Sequence, residues 1–238
     1  HALSINPENA ITHCSLGNAL WSLGQMNEAI SSCKRALVIK PDYVDAHITL
    51  GHAFNSLGIL KSAVSSFERA LVLEPDNSEA IFNLGVSFTK LDKLDAAISC
   101  FDKVLAITPD FSLAYNNLGI VYYKLNQLDS SVSSLERAIA ISPNYVDAYI
   151  NLGTAYDELG QLDAATSCYK RALAIDPNSH QARFNLALLQ LGNGFLSEGF
   201  KNYEIRWQWE NFTSHRRKFS IPRWTGASLA GKKIFDLG

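Results

Sequence analysis

The sequence is poor in the features that build disulfide-bonded, metal-binding or membrane-spanning proteins. Its 238 residues include four cysteines, Cys14, Cys33, Cys100 and Cys168, whose spacing forms neither a CxxC motif nor a zinc-ligand pattern. Unpaired thiols are typical of reducing compartments, so we expect a cytoplasmic protein. No apolar run approaches the roughly 18 residues that a bilayer-crossing helix needs, and the first residues lack the pattern of a signal peptide. We therefore expect no membrane partner.

Motifs for catalysis and for cofactor binding are also missing. The sequence contains neither a Walker-type phosphate loop nor a dinucleotide-binding glycine pattern. His13 and His47 recur at one slot of the repeat described below, which sister repeats fill with apolar or aromatic side chains, so they are packing residues in this interpretation. His52 has no nucleophile or metal ligand placed beside it by the sequence pattern. We predict that this chain is not an enzyme and holds no cofactor or metal.

Charge is distributed unevenly along the chain. Residues 1–178 contain 12 basic and 19 acidic residues, whereas residues 179–238 contain nine basic and four acidic residues. The run His-Arg-Arg-Lys at 215–218 forms no patterned basic face, and the larger part of the chain is acidic. We therefore predict no nucleic-acid partner.

One fixed interval dominates the sequence. Proline recurs with it at Pro7, Pro41, Pro75, Pro109, Pro143 and Pro177. Two further series keep the same spacing, leucine from Leu16 to Leu186 and glycine, one position later, from Gly17 to Gly153. A constant period of about 34 residues is the signature of a solenoid, in which stacked repeats contact only their neighbours.

Each repeat has the pattern of two helices. From Val44 to Asn77, apolar residues recur at helical spacing both before and after Gly58. The Gly58 slot holds only glycine, asparagine or aspartate in these repeats, residues that tolerate a left-handed backbone, so we predict a helix stop there. We also predict that the second helices are capped by Asn27, Asp95, Asp129 and Asp163. The proline then ends each second helix. The pattern predicts an all-α solenoid of antiparallel helix pairs.

This pattern resembles the tetratricopeptide repeat. In the unit at 146–179, the family's signature positions are filled by Tyr149, Leu152, Gly153, Tyr156, Ala165, Tyr169, Ala172 and Pro177. The resemblance implies a right-handed superhelix whose first helices line a concave groove. Members of the family bind peptides or other proteins in that groove, so the resemblance implies an interaction module with a protein or an extended peptide as its partner.

The register divides the chain into four segments. Residues 1–9 match the end of a preceding repeat, because ALSINP has the pattern of a second-helix tail, so we expect a longer parent protein. Residues 10–178 hold five repeats. A sixth unit at 179–211 has Ala187 in place of the glycine and no closing proline, and we expect degenerate, capping helices. Residues 212–238 form a less regular basic tail, in which a following domain would begin.

The slot before the repeated leucine faces the groove in this family, and here it forms a row of amides. This slot holds Ser15 and Thr49 and then Asn83, Asn117, Asn151 and Asn185. A carboxamide can pair with both the N–H and the C=O of an extended peptide. The row resembles the asparagine ladder of the O-linked N-acetylglucosamine transferase family; in the alternative interpretation the amides bond locally between helices. Further groove residues are predicted at His52, Asn116, Ile120, Tyr123 and Thr154.

Two alternatives to a separate interaction module remain open. Residues 198–232 resemble the junction between bacterial repeat proteins and a glycosyltransferase-like domain, which would make this chain the substrate-recruiting arm of a larger glycosyltransferase. In the other alternative, the chain self-associates through its repeat ends and is a homotypic assembly scaffold.

Overall fold

The computed structural model describes residues 9–204, and every regular element in that range is helical. The ALSINP segment, the basic run at 215–218 and the junction-like residues after 204 lie outside the described residues. The expectations attached to those segments therefore stay predictions.

Twelve helices lie in residues 9–204 and alternate between first and second helices of a repeat. The first helices are α1 (Ala10–Ser22), α3 (Val44–Ser56), α5 (Ser78–Lys90), α7 (Ser112–Lys124), α9 (Val146–Glu158) and α11 (His180–Gly192). The second helices are α2 (Met26–Ile39), α4 (Leu60–Leu73), α6 (Leu94–Ile107), α8 (Leu128–Ile141), α10 (Leu162–Ile175) and α12 (Leu196–Tyr203). Equivalent helices begin one repeat period apart throughout this range. The prediction of an all-α fold is confirmed.

The chain divides between Leu125 and Asn126 into two compact units. Unit 1 contains the described helices α1–α7, and unit 2 contains α8–α12. Within each unit, a first helix packs against the second helix that follows it after a three-residue connection, as α1 does against α2 and α9 against α10. Such a short connection reverses the chain direction, so each pair is antiparallel.

The predicted helix stops are confirmed by the backbone. Gly24, Gly58, Gly160 and Gly194 have φ between 70° and 79°. Asp92 and Asn126 fill the same slot with φ of 58°. In this left-handed region the Cβ of most residues crowds the following carbonyl, whereas glycine has none and asparagine and aspartate tolerate the strain. The composition of the slot therefore follows from its backbone conformation.

The predicted capping residues of the second helices are wrong. Asn27, Asp95, Asp129 and Asp163 are each the second residue inside their helix. The cap positions hold glutamine or lysine, without a side-chain capping bond. The reason is geometric, because one residue after the left-handed stop is enough for the next helix to begin. Acidic side chains at the second position still interact favourably with the helix dipole.

The repeated glycine permits close contact between the two helices of a pair. A Cβ added at Gly51 would lie 2.6 Å from the Phe67 ring, and one at Gly153 would lie 2.6 Å from the Tyr169 ring. Both rings are buried. Since side chains in a packed interior have little room to move, each glycine is matched to the large residue opposite it.

The sixth unit keeps the helix register within the described residues. α11 and α12 begin one repeat period after α9 and α10, although the glycine and the proline of the repeat are lost. Phe184 stacks on Tyr203 with ring centroids 5.6 Å apart. Gly199 is buried, and a Cβ there would lie 2.7 Å from the Leu191 side chain. Close packing persists in this pair where the sequence signature weakens.

Candidate functional site

The first helices form one wall in each unit. In unit 1, α1 contacts α3, α3 contacts α5, and α5 contacts α7; in unit 2, α9 contacts α11. Within either unit, no described second helix contacts another second helix. The first helices therefore lie closer together than the second helices do, which places them on the inner, concave side of each unit.

Polar side chains join successive first helices in unit 1. The hydrogen bonds that do so include Trp21 Nε1 to Ser56 Oγ at 3.2 Å, Asn55 Nδ2 to Ser87 Oγ at 2.9 Å, and His52 Nε2 with Glu79 Oε1 at 3.0 Å. Ser87 is fully buried. Because each bond spans two repeats, these side chains fix the spacing of the wall.

The residues predicted to line the groove all lie on first helices. Those in unit 1 are Thr49, His52, Asn83, Asn116, Asn117, Ile120 and Tyr123; those in unit 2 are Asn151, Thr154 and Asn185. Most are half-buried. Thr49 and Asn116 are only 6% and 5% exposed, so an occupant of the groove would reach little of either side chain.

Asn83 and Asn117 share one hydrogen-bonding arrangement. The Nδ2 of Asn83 donates to the Glu79 carbonyl at 2.8 Å, and the Nδ2 of Asn117 donates to the Leu113 carbonyl at 2.8 Å. Each acceptor is the carbonyl of the preceding turn in the same helix. A carbonyl can only accept, so it fixes the amide orientation and leaves Oδ1 as the outer atom. Among the described residues, neither Oδ1 accepts a hydrogen bond.

Asn185 and Thr154 are engaged by a buried tyrosine in unit 2. Tyr169 is 2% exposed, and its hydroxyl lies 3.3 Å from Thr154 Oγ1. Burial raises the pKa of Tyr169 to about 12. The Asn185 side chain also interacts with the Tyr169 hydroxyl and acts to lower its pKa. Thr154 thus provides a hydrogen-bond partner for a buried hydroxyl. Asn116, Tyr123 and Asn151 also make contacts within the fold.

The His52 ring is held from three sides. Trp21 stacks on it with centroids 4.8 Å apart, and Phe67 meets it edge-on at 5.6 Å. Its third contact is the bond to Glu79, which pairs an imidazole with a carboxylate on the next first helix. The hydrogen bond from His52 lowers the pKa of the Glu79 carboxyl, so this group is ionised at neutral pH.

Sequence reasoning did not single out Trp21 and Glu79. The signal was present, because Trp21 occupies the same repeat slot as Asn55 and Tyr123, and Glu79 occupies the slot of Asp45. Sequence alone could not show the pairing, since His52 and Glu79 lie in different repeats, 27 residues apart.

A pocket of about 220 Å³ opens at this cluster in unit 1. The aromatic side chains of Trp21, Tyr43 and His52 and the carboxylates of Asp45 and Glu79 are among its lining residues. Unit 2 has a larger cavity of about 650 Å³ between the start of α10 and the end of α11. None of the residues predicted for the groove lines that larger cavity.

Residues 9–204 contain no group of three or more histidine, cysteine or acidic side chains that could hold a metal ion. No helix in this range combines the length and hydrophobicity that a membrane crossing requires. The four cysteines are free thiols, and burial raises the pKa of each. The first helices in this range present aromatic, amide and carboxylate side chains on one wall of each unit.

Similarity to known proteins agrees with this architecture. Sequence models described as "Tetratricopeptide repeat" match residues 44–77, 110–178 and 168–198, and a model described as "TPR repeat" matches residues 17–58 and 87–126. No curated protein sequence matches the chain significantly.

Solved structures of repeat proteins share the fold. The crystal structure of MamA is 28% identical to this chain with a TM-score of 0.62, over 68% of this chain and 94% of MamA. PilW, a type IV pilus biogenesis factor, is 23% identical with a TM-score of 0.76, over 84% of this chain and 91% of PilW. YrrB, described as a TPR protein with an unusual peptide-binding site, is 23% identical with a TM-score of 0.60, over 76% of this chain and 93% of YrrB.

Both the helix geometry and the matching sequence models, which together span residues 17–77 and 87–198, lead to one assignment. The chain belongs to the tetratricopeptide repeat family.

Proposed function

We propose that this chain is a protein-interaction module that binds an extended peptide, or an extended segment of a partner protein, along the first helices of unit 1. The observation that carries the proposal is the shared orientation of Asn83 and Asn117. Each amide is anchored by its own helix and keeps Oδ1 as an acceptor without a partner among the described residues. Both side chains are half-buried, so their positions are fixed while one edge stays accessible.

The spacing of the two acceptors suits a peptide backbone. Packed helices lie about 8–10 Å apart, and an extended chain advances about 3.3–3.6 Å per residue. Asn83 and Asn117 lie on successive first helices, so they would accept from backbone N–H groups about two to three residues apart. Recognition of this kind depends little on the peptide sequence, because every residue except proline offers the same N–H.

One solved structure with this fold supports the proposal. YrrB is described as having an unusual peptide-binding site, and its likeness to this chain extends over 76% of the residues here. In unit 2 we expect Asn185 to contribute less to peptide binding, because its side chain already interacts with the Tyr169 hydroxyl.

The test begins with a display library of random peptides selected on the full chain. Calorimetry then compares a selected peptide on the parent protein and on the Asn83→Ala/Asn117→Ala variant. Loss of two hydrogen bonds should weaken binding roughly 5- to 100-fold. Asn144→Ala, at an exposed turn residue after α8, is the matched control and should bind as the parent does.

Circular dichroism should show the same helix content in all three proteins, because alanine is a good helix former. The proposal is wrong if the library yields no binder, or if a folded double variant keeps the parent affinity.

The glycosyltransferase arm and the homotypic scaffold stay predictions, as does the absence of catalysis. If the groove serves a larger glycosyltransferase, its occupant would be the acceptor protein, and the same asparagine variant would lower recruitment. If repeat ends mediate self-association, sedimentation equilibrium would show oligomers that the asparagine variant leaves intact.

A further inference from the structure

The unit 1 pocket has the size of a site for one long side chain. Its volume of about 220 Å³ is below the roughly 300–1,000 Å³ typical of pockets for small-molecule ligands. It lies between α1, α3 and the start of α5, on the wall along which we propose that a peptide binds. The inference below rests on that proposed function and specifies which side chain the peptide would insert.

The charged groups that line this pocket are acidic. Asp45 and Glu79 contribute carboxylates, and no lysine or arginine is among the described lining residues. His52 holds one oxygen of Glu79 at 3.0 Å, and the stacked Trp21 ring keeps His52 in place. Among the described residues, the second Glu79 oxygen accepts no hydrogen bond. The hydrogen bond to one oxygen therefore orients the carboxylate, and the other oxygen can accept a hydrogen bond from a ligand.

The aromatic wall of the pocket also suits a cation. Trp21 and Tyr43 line it, and tryptophan is the side chain that attracts cations most strongly through its ring face. An ammonium group already lies at one of these rings, since Lys40 Nζ is 5.2 Å from the Tyr43 centroid. Lys40 does not line the pocket, so a different cation can bind there.

We propose that this pocket binds the side chain of a lysine or arginine from the bound peptide, with the cation between the aromatic wall and the carboxylates of Asp45 and Glu79. The methylene stem would lie along Trp21 and Ile48, and the cation would reach the open oxygen of Glu79. This gives the groove a sequence preference that the backbone contacts to Asn83 and Asn117 do not supply.

Nuclear magnetic resonance titration of the full chain tests this proposal. The probes are three short capped alanine peptides, with lysine, norleucine or glutamate at the centre. The Trp21 indole N–H, assigned through Trp21→Phe, reports occupancy. The lysine peptide should bind about threefold or more tightly than the norleucine peptide, the range expected for partly exposed ion pairs. An arginine peptide would show whether the guanidinium is preferred.

Variants separate charge from shape. Glu79→Gln should bring lysine and norleucine peptides within twofold of each other, and Asp45→Asn should reduce the difference in part. Asp95→Asn removes the same charge from an exposed position on α6, outside the pocket, and should leave the lysine preference intact. High salt should lower the preference of the parent protein, because ions screen exposed charges.

The outcomes distinguish this proposal from the proposed function. Equal affinity for lysine and norleucine, or tighter binding of glutamate, would overturn the cation pocket while leaving backbone recognition in the groove. A lysine preference that survives Glu79→Gln and Asp45→Asn would also overturn it. If no probe moves the Trp21 resonance while library peptides still bind, the pocket is not part of the groove that binds them.

Discussion

At the residue scale, single atoms decide how closely the helices of a pair approach. The glycine of the repeat faces a large buried side chain in three of the pairs, where that side chain is Phe67, Phe101 or Tyr169. The sequence period fixes the position of the glycine in five repeats, but the period alone does not show which residue the glycine faces. Residues whose partners lie in another repeat are harder to predict, and His52 with Glu79 is the example.

We predict that Gly85→Ala destabilises the protein by about 1–3 kcal/mol, the usual cost of overpacking. The new Cβ would lie 2.8 Å from the Phe101 ring and 3.1 Å from the Cys100 Cβ, which is fixed to the backbone. Urea denaturation measures the free energy of unfolding. Gly192→Ala is the matched control, because no atom lies within 4 Å of the Cβ it would add. Alanine is the better helix former there, so an equal loss at both sites would contradict the packing argument.

At the element scale, helix boundaries follow local chemistry, while the spacing of successive first helices depends on contacts between repeats. The left-handed stops were predictable because only glycine, asparagine and aspartate suit them. The caps were mispredicted because good capping residues also suit the second position of a helix, where their charge favours the dipole. The bond from Asn55 to Ser87 could not be derived, because neither residue type recurs at its slot.

We expect Ser87→Ala to destabilise unit 1 by about 0.5–1.5 kcal/mol, the usual net contribution of one hydrogen bond, because the Asn55 amide that loses its partner is half-buried. Ser87 is fully buried and accepts from Asn55 Nδ2 at 2.9 Å across two repeats. Ser99→Ala is the control, since Ser99 is exposed and its hydroxyl donates to the Asp95 carbonyl of its own helix. The same loss of unfolding free energy in both variants would show that the bond between repeats contributes nothing.

At the scale of the whole molecule, a repeated sequence specifies a repeated core but not the surface that binds a partner. The family, the order of the helices and the repeat period were predictable, because they depend on small, large and helix-breaking residues at fixed positions of the repeat. The sequence predicted which positions carry the row of amides, but it did not predict the hydrogen bonds that these amides make. Asn83 and Asn117 bond their own helices, whereas the Asn185 side chain interacts with the Tyr169 hydroxyl, because the neighbouring slots differ between repeats.

The reactivity of the four cysteine thiols tests whether their side chains are packed inside the two units of the folded protein. Burial raises the pKa of Cys33 to about 12 and those of Cys100 and Cys168 to about 11; that of Cys14 is raised as well. Because the thiolate is the reactive form, all four should react slowly with a disulfide reagent at about pH 8. In urea, where the unfolded pKa is about 8.5, they should react fast.

The same shifts predict how stability depends on pH. A raised pKa means that folding favours the protonated thiol, so this contribution to stability is fully present below the unfolded pKa of about 8.5. It is lost as the pH rises through the folded values of about 11 to 12. The free energy of unfolding should therefore fall above about pH 9. Alkylating the thiols in the unfolded chain should prevent refolding, since Cys14, Cys33 and Cys168 are buried and their sites lack room for an added group. Rapid labelling of the native chain, with unfolding free energy unchanged up to about pH 11, would show that the cysteines are not buried in the cores of the two units.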